Sequence, residues 1–198
     1  MYSSQRDAGQ AFPIYITVVA GLLFLALAYF AVGQAATNRN GAQTAADAAA
    51  LAAAQETRDQ LAGEWVDNLS DPASWERIFD GLGTGPSDSC WRASELAAQN
   101  DAQVDSCEPD GPLGFKVEVT SDDPVGDSIV PGTEDKHAQA SATAVIEPNC
   151  EFELPDGDGK DDVLPRITCD DQDWELDPED LPELPKPQDL FDVHLADS

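Results

Sequence analysis

Basic side chains are scarce: 10 lysines and arginines stand against 39 aspartates and glutamates, a formal net charge of −29 over 198 residues. So anionic a chain repels phosphate backbones, which argues against nucleic acid as a partner. Histidine is almost missing too, with His137 and His194 alone, and neither belongs to a recognisable nucleophile motif. Glycine loops of the P-loop or dinucleotide type, which cradle phosphates with their backbone N–H groups, are absent. Carboxylates are so common that no chosen pair points to a hydrolase. The sequence therefore predicts no enzyme and no cofactor. Only four cysteines occur, and none form the C-x2-C pairs typical of zinc sites.

Charge of either sign is missing from residues 11–32, AFPIYITVVAGLLFLALAYFAV. As a helix rising about 1.5 Å per residue this run is about 33 Å long, enough for a hydrocarbon core of about 30 Å. Pro13 lies in what would be the first turn, where the missing N–H costs nothing, and Tyr15 and Tyr29 lie near the two interfaces. A cleaved signal is the competing interpretation, with Arg6 as its basic region and Ala26-Leu27-Ala28 as an A-x-A site. The run exceeds the usual signal core of about 7 to 15 residues, so an uncleaved anchor is expected. Arg6 and Arg39 nearly balance across it, and loop charge does not set its orientation.

The cysteines set the orientation instead. Cys90, Cys107, Cys150 and Cys169 all follow the apolar run, and an even number there favours two disulfides in an oxidising compartment. Of three pairings, Cys90 with Cys107 and Cys150 with Cys169 is favoured, each closing a short loop worth about 3 kcal/mol in the chain-entropy model. The expected topology is single-pass in the cell membrane, with residues 1–10 cytoplasmic and everything after the anchor extracytoplasmic.

Beyond the anchor, residues 41–61 are dense in alanine, and the helix is expected to continue, with a joint near Asn40 and Gly41 as the alternative. Ala42, Ala45, Ala46, Ala49, Ala50, Ala53 and Ala54 recur at helical spacing, a small-residue surface that permits close approach of another element. It suits packing on the protein's own domain or on another chain equally well. These residues carry a family resemblance. Gly9-Gln10-Ala11, the apolar run, and then residues 40–54, NGAQTAADAAALAAA, resemble the N-terminal region of TadE/TadG-like proteins, minor pilin or pseudopilin components of bacterial tight-adherence (Flp) pilus systems. The resemblance implies an N-terminal membrane helix, an extracytoplasmic domain, and work in pilus assembly through contacts of the N-terminal helix with other pilin-like or assembly proteins. It also makes Gly9 and Gln10 the candidate processing site. The glutamate that prepilin-type processing looks for at the fifth position after the cut is replaced by Ile14.

Residues 65–169 are expected to form a small disulfide-stapled α+β head. In residues 75–82, Trp75, Ile78, Phe79 and Leu82 share one helical face, with Ser70 or Asp71 as the cap. Residues 91–99 form another short helix with Trp91 and Leu96 inward. Residues 113–120 and 137–147 alternate apolar with polar side chains and predict an antiparallel strand pair. The aspartate-rich turn with Asp156, Asp158, Asp161 and Asp162 is a calcium candidate whose register does not fit an EF-hand: Lys160 and Asp161 stand where a ligand and glycine belong. Residues 170–198 are acidic, proline-rich and aperiodic, and predict a disordered tail whose Leu190, Phe191, Val193 and Leu195 are free to dock on a partner. The expected organisation is thus a cytoplasmic segment 1–10, a transmembrane helix 11–33, an alanine-rich stalk helix 34–64, the head and the tail. Two functions follow: a non-catalytic pilus-assembly component, or an anchored extracytoplasmic module whose acidic head binds a cation or a basic partner.

Overall fold

The computed structural model describes residues 11–83, 89–124, 135–153, 164–170, 172–178 and 180–196. Its organising element is one unbroken helix, α1, Ala11–Asp67, 57 residues long. No joint occurs at Asn40 or Gly41, because a lone glycine costs about 1 kcal/mol in a helix interior while the flanking alanines favour continuation. The fold is α+β. After α1 come α2 (Trp75–Phe79), α3 (Cys90–Gln99), β1 (Ala102–Pro109), β2 (Gly114–Pro124), β3 (His137–Pro148), β4 (Cys150–Phe152), β5 (Ile167–Cys169), β6 (Gln172–Trp174), α4 (Pro187–Leu190) and β7 (Phe191–Leu195).

The expected antiparallel strand pair is present as β2 and β3. Phe115 stands opposite Ala144, Val117 opposite Ala142 and Val119 opposite Ala140. Large side chains on β2 thus face alanines on β3, and the inner face stays shallow enough for a helix to lie across it. The pair is the centre of a four-stranded antiparallel sheet in the order β1-β2-β3-β7. A second sheet, β4-β5-β6, carries the Cys150–Cys169 bridge between directly opposed residues.

The alanine half of α1 is the core helix of the head. It packs on β2, β3 and β7 and on α3, and Ala45, Ala46, Ala49, Ala50, Ala53 and Ala54 are completely buried, with Ala42 nearly so. Of the two occupants open to the alanine surface, the protein's own sheet and α3 take it. Farther along, Trp65 and Trp75 meet at 5.6 Å between ring centroids, and Phe79 stacks on Phe191 at 5.0 Å.

Three expectations are corrected. The C-terminal residues are not a disordered tail. Phe191–Leu195 pairs with β3, with Val193 opposite Ile146, and Leu190 and Phe191 are fully buried. The alternation of Phe191, Val193 and Leu195 is a strand signal that outweighs the acidic surroundings, and these side chains dock on their own chain. Trp91 is about half exposed; α3 turns Ala93 and Ala97 inward, one turn apart, and Arg92 lies over the Trp91 ring. Leu82 lies past the end of α2 and is exposed, and Asp71 makes no side-chain cap on the short 3-10 turn that precedes α2.

Two substitutions test this packing. Ala49→Leu places a branched side chain where α1 meets its neighbours and is expected to cost about 1–3 kcal/mol of stability by thermal or denaturant unfolding. Gly81 has φ of +69°, and an added Cβ would lie 2.7 Å from the Pro112 carbonyl oxygen. Gly81→Ala is therefore expected to destabilise by about 1–3 kcal/mol, where a solvent-exposed glycine in an ordinary helical conformation, Gly63, would gain from the same change.

Candidate functional site: the two halves of the first helix

The first half of α1 is unlike anything else among the described residues. Phe12, Ile14, Tyr15, Leu22, Leu23, Phe24, Leu25, Leu27, Tyr29, Phe30 and Val32 are all exposed, and they point to every side of the helix. A soluble core helix of this hydropathy would be covered; here none of the most apolar window is buried. By length and composition it is the one candidate membrane span among the described residues. Thr17 returns its hydroxyl to the Pro13 carbonyl oxygen and Thr37 to that of Gly33, at 3.0 Å for the second, so these polar groups are satisfied within the helix.

The head begins close to the end of that run. Asn38 Nδ2 donates to the Pro124 carbonyl oxygen at 2.8 Å, and Gln43 Nε2 donates to that of Ser141 at 3.3 Å. Farther out, the Thr57 and Ser89 hydroxyls share a buried hydrogen bond of 2.7 Å that fixes the start of α3 against α1. Sequence inspection missed these three ties, because each joins residues 32 to 98 positions apart and no local pattern announces them.

Both disulfides have the favoured pairing. Cys90–Cys107 joins α3 to β1, and Cys150–Cys169 joins β4 to β5. All four cysteines are bridged.

Residues 9–56 match the Tad family model, TadE/G-like Flp pilus assembly. The Tad segment covers about a quarter of the chain: the apolar half of α1 and most of its buried alanine face. It stops before the helix ends and leaves β1 to β7 unmatched. The match points to a pilus-assembly protein and a structural component, and with the exposed apolar helix it fits a membrane-anchored protein. No curated protein and no solved structure matches the chain.

Chemistry elsewhere is sparse. His137 Nδ1–H donates to the Ser121 carbonyl oxygen at 2.7 Å, while His194 lies 3.0 Å from Asp192 and 3.8 Å from Glu147. His194 stands opposite Val145, eight positions along β3 from His137, so the two rings are separated by about 26 Å of strand. Lys116 hydrogen-bonds Glu118 at 3.1 Å, and that bond and its charge hold the Glu118 carboxyl below its usual range, the opposite of what a general acid requires. An open groove of about 890 Å³ between α2 and the second sheet is lined by Glu76, Asp80, Glu151 and Glu153 together with Phe79, Phe152 and Arg166. Among the described residues no group of three or more histidine, cysteine or acidic side chains is placed to hold a metal ion. The calcium candidates Asp156, Asp158, Asp161 and Asp162, and the processing candidates Gly9 and Gln10, lie outside the described residues.

The bridge across β4 and β5 closes a loop of 19 residues in a three-strand sheet too small to stand alone. The double variant Cys150→Ser/Cys169→Ser is expected to lose about 3 kcal/mol of unfolding free energy, measured by denaturant titration under non-reducing conditions.

Proposed function

We propose that this protein is a membrane-anchored, non-catalytic component of pilus or surface-appendage assembly, with residues 11–33 in the membrane and the head outside the cytoplasm. One coincidence carries this assignment: the Tad match at residues 9–56 ends within the same helix whose apolar half is bare on all sides and whose alanine half is sealed into the head. A helix that is apolar all round needs lipid or other helices around it. Two disulfides support an oxidising compartment for the head, and in the proposed arrangement the short N-terminal segment is cytoplasmic. Because the alanine face is occupied within the chain, contacts with pilin-like partners fall to the apolar half of α1 and to the outer surface of the head. Pseudopilin-type or minor-pilin-type service is the specific form proposed.

The acidic groove favours a second function, capture of a basic partner by an anchored module that never enters a filament. Shearing cells separates the two. Assembly predicts that the chain is released with appendages, whereas a fixed module stays with the membrane. Anchoring is tested first by flotation with lipid. The wild-type chain is expected to float. Leu22→Arg/Leu25→Arg, at about 2.5–3.5 kcal/mol per buried charge, is expected to lose most of that association. A wild-type chain that remains in the soluble fraction overturns the proposal.

A further inference from the structure

The distance between membrane and head is set by helix geometry. The apolar run ends at Val32, and Asn38, six residues on, is already hydrogen-bonded to Pro124 at the end of β2. Six residues of helix rise about 9 Å. The headgroup layer of one leaflet is about 5–8 Å thick, half the difference between the full bilayer and its hydrocarbon core. Asn38 thus stands at the outer edge of the headgroups, and so does the end of the sheet bound to it. α1 is unbroken here, so no hinge lifts the head away.

Among the described residues, the ends of β1, β2 and β3 meet there. Asp122 N–H bonds the Asp101 carbonyl oxygen, joining the start of β1 to β2, and Pro124 pairs with His137 at the start of β3. Asp101, Asp122, Asp123, Asp135, Lys136 and His137 are all exposed there. Among the described residues, four aspartates outnumber Lys136 and the nearby Arg39, so this part of the rim is net acidic. Its separation from the lipid is no more than the Debye length of about 8–10 Å at ordinary salt, and its charge therefore interacts with the lipid charge.

We infer that the head stands directly on the bilayer surface, with no free stalk between them, and that its acidic rim fits a zwitterionic leaflet rather than an anionic one. The inference rests on the membrane anchoring proposed above and adds to it a docking surface on the lipid. The far end of the head points away: Asp67 lies 29 residues beyond Asn38, about 44 Å along the helix.

The test uses the full chain in zwitterionic nanodiscs, labelled with a fluorophore at Asp123→Cys or at Asp71→Cys under non-reducing conditions that keep both disulfides, with a nitroxide on the lipid headgroup as short-range quencher. The nitroxide is expected to quench most of the emission at position 123 and almost none at position 71. Seven helix-forming residues inserted after Thr37 preserve the helical phase to about 20° and raise the rim about 10 Å; quenching at 123 is then expected to be largely lost. Exchanging part of the zwitterionic lipid for an anionic one at low salt is expected to reduce quenching at 123, and high salt to restore it. Weak quenching at both positions, strong quenching at both, or quenching at 123 that survives the insertion overturns direct seating of the upright head. Equal quenching in the two lipids overturns the lipid preference. A labelled chain that fails to enter nanodiscs or to float with lipid overturns the anchoring itself, so the two failures are distinct.

Discussion

Everything in this molecule depends on the close approach of the alanine half of α1 to the sheet and to α3. An alanine contributes only one methyl group, so the energy of each contact is small. What it contributes is proximity: strands and a second helix can lie against the α1 backbone on two sides, and alanines on β3 make the same concession from the sheet. Leucine at those positions would enlarge the buried area and drive the layers apart. Close layers allow a small domain to reach native packing density around a single helix, with the larger side chains Trp65, Trp75, Ile78, Phe79 and Phe191 gathered beyond the alanines.

This packing has a consequence for assembly. In a bundle, a helix face of alanines invites a neighbouring helix. Here the head has already taken that face, so the surface is spent on the protein's own stability. The same helix then passes without interruption into a segment with no protein cover at all. In the proposed membrane-anchored arrangement one rod is shared between two solvents, with the transition over the few polar residues from Gln34 to Arg39. The disulfides reinforce the peripheral parts, α3 with β1 and the second sheet within itself, and neither involves α1.

The sequence revealed those features that repeat at short range. The apolar run, the alanine periodicity and the Phe115, Val117, Val119 alternation are local patterns, and each corresponds to its element. β7 was overlooked although Phe191, Val193 and Leu195 alternate just as clearly, because prolines and acids around them read as disorder; long-range pairing with β3 decides its state. β1 has only Ala102 and Val104 as aliphatic residues and a register shift between Val104 and Ser106, so its alternation was obscured and its place comes from β2. The phase of α3 differs from the expected one with Trp91 and Leu96 inward: the buried positions are Ala93 and Ala97, whose small side chains suit the close approach of the layers. The ties from Asn38, Gln43 and Thr57 were out of reach, since their partners are determined only once the chain has folded.

In the proposed arrangement α1 is one continuous helix that belongs to the membrane and to the head at once. Amide hydrogen exchange on the full chain in lipid nanodiscs tests it most directly, read across residues 33–41 where the two halves join. Protection is expected through this stretch without a gap, rising toward the buried alanines. Exchange at 33–41 as fast as in an unfolded peptide, between two protected flanks, would contradict it and make the anchor and the head two bodies joined by a flexible link.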